Sequence, residues 1–107
     1  MTTLKQFFEK RDICIDEIMY ICKTPGTSIT EFHLDGGRVE TRYVSMKEVK
    51  SILPDYFVSI NKGIIVNIHY IKCINRYIYH MKDGTVFDGK LKDPNLHKSI
   101  KQKIGEC

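Results

Sequence analysis

The chain of 107 residues, 42% hydrophobic and 28% charged, is long enough for one hydrophobic core and too short for two ordinary domains, and its many Ile, Tyr and Phe exclude disorder. No apolar run approaches the ~20 residues of a bilayer span, and the opening MTTLKQFFEKRD carries charge where a secretory signal needs an apolar stretch, so the expectation is a cytosolic protein. The net charge of +4 is uneven: residues 1–53 hold eight basic and eight acidic side chains, residues 54–107 nine basic against five acidic. A surplus confined to the second half suits a surface that meets phosphates, without by itself requiring one.

Residues 1–12 read as an arm or an extra helix. Leu4, Phe7 and Phe8, spaced three and four apart, would line one side of such a helix, covering the sheet or meeting another copy. Beyond them most segments alternate with a period of two between closely spaced turn signals, which predicts a mostly β protein with two or three short helices. Ile13, Ile15, Ile18, Tyr20 and Cys22 predict a short strand, a kink at Asp16-Glu17 and a second strand that stops at Pro25-Gly26. Ile29 to Leu34 and Arg38 to Val44 flank Asp35-Gly36-Gly37, whose glycines suit a hairpin turn. Then the period changes. Ser45-Met46-Lys47-Glu48 is a capping box that opens a helix, with Val49, Ile52 and Leu53 on its apolar side and Pro54 at its end.

Strands resume at Tyr56, with Ile71 to Met81 and Thr85 to Asp88 expected as a hairpin across Lys82-Asp83-Gly84. Asp93 is a good N-cap for a last helix with Pro94 at its first position, and Leu96, Ile100 and Ile104 recur every four residues on one face. Gly105 ends that helix, leaving 105–107 as a tail. Lys98, Lys101 and Lys103 lie off the apolar stripe, where they complement the helix dipole as a solvated face.

Cys14, Cys22, Cys73 and Cys107 form no CxxC pair and have no histidine at zinc-site spacing, so no metal or other cofactor is expected. As intracellular thiols, the first three are expected to be buried in strands and the last exposed. His33, His69, His80 and His97 are scattered and read as surface residues of strands or of the last helix. Enzymatic activity is not expected: no G-x-S-x-G, phosphate-cradling glycine loop or H-E-x-x-H occurs.

The most specific segment is SINKGIIVNIHYI, Ser59 to Ile71, followed by YIYHMKDGTVFDGK up to Lys90. It resembles the central signature of the LytTR family of bacterial DNA-binding domains, in which F-x-x-x-H-R-S-Y-I-V-N-x-x-Y-I leads into an L-K-D-G hairpin. Phe57, Asn61-Lys62-Gly63, Ile64, Ile65-Val66-Asn67, Tyr70-Ile71 and Met81-Lys82-Asp83-Gly84 stand in those places. The resemblance spans roughly Ile13 to Ile104 and implies a LytTR-type domain over residues 13–104. Its fold would be an elongated β-sheet arrangement with small helices whose loops read DNA. It implies a transcription regulator that binds duplex DNA in two copies on paired direct repeats, bending the site, with a homodimer on DNA, a regulatory protein partner and a place at the cytoplasmic nucleoid as further expectations.

Carried over by position, Lys62, where the family usually has Arg or Asn, and Lys90, where it has Arg, match its DNA-contacting positions, and the Thr24 to Ser28 loop, with Thr24, Gly26, Thr27 and Ser28, matches its first polar segment. Asn61 stands where the family often has His, and its amide suits adenine. Gly63 and Gly89 replace serines and Lys replaces Arg, losing hydroxyls and the planar fork that suits guanine. Cys22 replaces a common Glu. Asn67 reads as a turn-forming residue and Tyr70 and Ile71 as core. Two alternatives stay open: an adaptor of the same fold that has lost specific DNA binding, and a single-strand or RNA binder that stacks bases on Tyr77 and Tyr79, which have the same parity and so project from one face of the strand.

Overall fold

A computed structural model describes residues 4–89 and 94–107. They form three short helices and eight strands in antiparallel ladders, the mostly β architecture that the alternating pattern predicts. The chain falls into two compact units, the first ending at Asp55 and the second starting at Tyr56.

In the first unit, α1 (Leu4–Lys10) lays the buried ring of Phe8 edge-on against Phe32, 6.0 Å between centroids, so this side chain covers the sheet. The side chains of Leu4 and Phe7 lie outside the described set. The strand expected at Ile13 is absent. The amides of Arg11 and Ile13 both donate to the Phe8 carbonyl, Asp12 takes a positive φ of 58°, and a 3-10 turn occupies Ile15–Glu17. Alternating isoleucines there mark a chain reversal that buries Ile13. Cys14 is exposed ahead of this turn, contrary to the expectation of a buried strand residue.

Three strands follow: β1 (Ile18–Lys23), β2 (Ile29–Leu34) and β3 (Val39–Tyr43), with β2 paired to both neighbours. Thr30, Phe32 and Leu34 turn one face of β2 inward, as period two requires. Burying each large side chain of this kind contributes roughly 1.5–3 kcal/mol. The β2–β3 turn places Gly36 and Gly37 at φ of 86° and 82°, a region that penalises any side chain. α2 (Met46–Ile52) starts as expected, with the Ser45 hydroxyl accepting from the Glu48 amide at 3.1 Å, and it buries Met46 and Val49. Leu53 is extended ahead of Pro54, the conformation that a following proline imposes.

The second unit begins with a hairpin of β4 (Phe57–Asn61) and β5 (Ile64–Asn67). Asn67 then caps a 3-10 turn at Ile68–Tyr70, its side chain accepting from the His69 amide at 2.9 Å, the turn-forming role expected of it. Ile71 is core and Tyr70 half-buried. The expected long strand from Ile71 to Met81 is two strands, β6 (Ile71–Asn75) and β7 (Ile78–Met81), reversed at Arg76-Tyr77; β8 (Val86–Asp88) pairs with β7 across the Asp83-Gly84 turn. Arg76 supplies the positive φ, 56°, that turn residues such as Gly or Asn would have advertised.

That turn separates the two tyrosines. Tyr77 is 56% exposed in the loop and Tyr79 is fully buried in β7, so they form no shared stacking face. α3 (Pro94–Ile104) closes the unit, with Ile100 buried, Gly105 at φ 99° and its amide bonded to the Lys101 carbonyl. Asp93 lies outside the described residues. His97 is buried on this helix, stacked under Tyr77 at 4.7 Å and bonded to Tyr79, which corrects the surface role expected for it. Cys73 and Cys107 are joined in a disulfide, which corrects their assignment as thiols. Sequence spacing gave no sign of the pair, because the two meet only when the tail folds back along β6.

Candidate nucleic-acid interface

β4 and β5 are joined by a two-residue turn, Lys62-Gly63, closed by the Asn61–Ile64 pair. The register slips between Ser59 and Asn61, the mark of a bulge, a device that re-aims side chains at a strand end. The Ser59 hydroxyl donates to the Asn61 carbonyl at 3.0 Å. Lys62 is exposed at the tip and makes no ion pair among the described residues.

Both ends of the Asn61 amide have partners. Its Oδ1 accepts from the Gly63 amide at 3.0 Å, bridging the turn, and its Nδ2 donates to the Asp88 carbonyl at 3.2 Å, at the end of β8. Next comes Gly89, buried, its amide bonded to the Tyr77 carbonyl at 2.8 Å. A Cβ here would stand 3.3 Å from that carbonyl and from the Tyr79 ring, and 3.4 Å from Ile60. Gly89 is thus more than a serine without its hydroxyl, since a side chain at this position meets backbone. Asn61, Gly63, Asp88 and Gly89 are thereby brought together. Lys90, the next residue in sequence, lies outside the described set.

The first unit carries the other candidate segment. Between β1 and β2 the Thr24 to Ser28 loop is a folded turn, with Gly26 at φ 74°. The Thr27 hydroxyl donates to the Thr24 carbonyl and accepts from the Ile29 amide, while Thr24 Oγ1 donates to Glu31 at 3.3 Å. The two threonine side chains therefore hold the loop's shape, and Gly26, Thr27 and Ser28 form its exposed rim. Lys23, exposed at the end of β1, is a cation beside this loop that sequence reasoning passed over. Its signal was a basic residue following a run of apolar ones.

Glu31 organises the face beneath that loop. It accepts from Thr24 and lies 3.1 Å from His33, whose ring stacks on Tyr20 at 4.5 Å. Cys22 stands opposite Glu31 in the β1–β2 register, and burial, reinforced by the negative charge of Glu31, pushes its thiol up from 9.0 to about 11. A thiol held protonated is a poor nucleophile and a poor metal ligand. Among the described residues no group of three or more His, Cys, Asp or Glu is placed to hold a metal ion, and no helix is long and apolar enough to cross a membrane.

Among the described residues, the candidate side chains stand on turns or at strand ends and none of them on a helix. The profile of the LytTr DNA-binding domain matches residues 9–88, and the chain belongs to this family of DNA-binding domains. Among solved structures it is similar to the LytTr DNA-binding domain of a methyl-accepting/DNA response regulator from Bacillus cereus, with a TM-score of 0.68, 20% identity, and coverage of 79% of this chain and 81% of that one. That likeness shows the shared fold. A search of curated proteins finds no match.

Proposed function

We propose that the protein binds duplex DNA sequence-specifically as a bacterial transcription regulator, two copies occupying paired direct repeats and bending the site. The observation that carries this reading is Lys62, exposed and without an ion pair among the described residues, at the tip of a turn inside the family's signature. An ammonium so placed gains from meeting a phosphate or a base edge, with release of counterions. Lys90 supplies a second cation, and Lys23 with the rim of Gly26, Thr27 and Ser28 a third region of backbone contact. Thr24 acts on the loop from within. A role at promoters in the cytoplasm, under the control of a protein partner, completes this reading.

Selection of bound duplexes from a random pool, followed by salt titration of the enriched sequence, tests it. Paired direct repeats with a steep salt slope are expected. Lys62→Ala should lose roughly 1–3 kcal/mol if the side chain reads a base, or reduce the salt slope by about one if it meets a phosphate. Folded protein that enriches nothing at low salt would overturn the reading and favour the adaptor of the same fold.

A further inference from the structure

Asn61 is a candidate DNA contact by sequence, standing where the family often has His, yet its side chain is engaged within the protein. One end bridges the Lys62-Gly63 turn to the Gly63 amide, and the other reaches 27 residues along the chain to the Asp88 carbonyl. The second bond requires the end of β8 to lie close to the end of β4. Gly89 permits that approach, because a side chain there would press on the Tyr77 carbonyl, the Tyr79 ring and Ile60, the residue before Asn61. We propose that Asn61 and Gly89 form a clasp that fixes the Lys62 turn to the end of β8, so that Asn61 is a positioning residue and the DNA-facing atoms at this turn belong to Lys62. This inference rests on the DNA-binding reading and deepens it.

The physical consequence concerns entropy. Lys62 sits on a two-residue turn whose backbone would otherwise be restrained by the β4–β5 ladder and the Ser59–Asn61 bond. Tying that turn to a second hairpin reduces the freedom lost when the ammonium engages DNA. Positioning and base reading then leave different signatures. A positioning residue weakens binding to every sequence alike and does so through Lys62. A base reader relaxes preference at one base pair and acts independently of Lys62.

The test is a double-mutant cycle on the selected duplex, with binding measured for the full chain and for Asn61→Ala, Lys62→Ala and the double variant. Urea unfolding of each establishes that the fold persists. We expect Asn61→Ala to lower affinity about five- to tenfold with base preferences unchanged at every position, and to add less than about twofold in the Lys62→Ala background. Gly89→Ala, which leaves the Asn61 amide intact, should reproduce the loss, and amide exchange at Gly63 should quicken in Asn61→Ala without DNA present. Multiplicative losses, or relaxed preference at one base pair in Asn61→Ala, would overturn the clasp and make Asn61 a base reader. Failure of the unmodified protein to bind any duplex overturns the DNA reading and the clasp's role with it, an outcome separate from the other two.

Discussion

The phenol oxygen of Tyr79 sits 2.8 Å from Nδ1 of His97, and both side chains are buried. This bond ties β7 to α3, and Tyr77 lies across the same imidazole. Burial also pushes the Tyr79 phenol up from 10.0 to about 12. A folded-state value above the unfolded one contributes stability that is complete below pH 10 and declines as pH rises through the folded value. Tyr79→Phe should cost about 1–3 kcal/mol by leaving the His97 nitrogen without its partner, and should remove this share of the alkaline loss. Urea midpoints at pH 7 and across the window from pH 10 to 12 check both; equal midpoints at pH 7 would mean that the bond contributes nothing.

The Cys73–Cys107 bridge closes a separation of 34 residues. Reduction, or Cys73→Ser with Cys107→Ser, is expected to lower unfolding free energy by about 2–4 kcal/mol. Thermal denaturation with and without a dithiol reductant measures it. Partial digestion followed by mass analysis under non-reducing conditions should recover the two cysteines in one linked peptide pair.

The two remaining thiols should differ in reactivity. Cys14 is exposed, whereas Cys22 is partly buried and its thiol is pushed to about 11. Alkylation at pH 7.5 should modify Cys14 well before Cys22, since the thiolate is the reacting species. Glu31→Gln removes the secondary, electrostatic cause and should speed Cys22 modestly. Equal rates in the native protein would contradict the burial of Cys22.

Two local features make opposite predictions for stability. Ser45 accepts from the Glu48 amide at the start of α2, so Ser45→Ala should cost about 0.5–2 kcal/mol. Arg76 is held at φ 56° in the β6–β7 turn, and Arg76→Gly should stabilise by about 0.5–1 kcal/mol as the left-handed penalty is relieved against the greater freedom of unfolded glycine. Chemical unfolding of the two variants decides each sign.

Much of the fold was legible because its signals are local. The Ser45-to-Glu48 spacing marks a cap, the glycine pair at 36 and 37 marks a hairpin, and the alternation through β2 marks an inward face. Two misreadings share a cause. Ile13 to Ile15 alternates like a strand, and Arg76-Tyr77 lacks any usual turn residue, so tertiary demands decided both. The Cys73–Cys107 link and the burial of His97 depend on where the tail and α3 dock, which no short window encodes. At the candidate interface, the family signature led to Lys62 directly. It led to Asn61 only as a further candidate whose amide suits adenine, while the bond to Asp88 spans 27 residues and was invisible. The Asn61-x-Gly63 spacing held half of the answer, since an asparagine side chain commonly accepts from the amide two residues on.

At Ile74 the tail runs beside β6. The Ile74 amide donates to the Gly105 carbonyl, the Cys107 amide donates to the Ile74 carbonyl, and Glu106 forms a parallel bridge between them. β6 lies at the rim of its sheet, and an open rim offers its amides and carbonyls as a template for strands from other molecules. The last three residues occupy that template at Ile74, and the sulfur link from Cys107 to the same strand keeps them there. The edge groups of Ile74 that an incoming strand would need are thus already taken up from within the same chain.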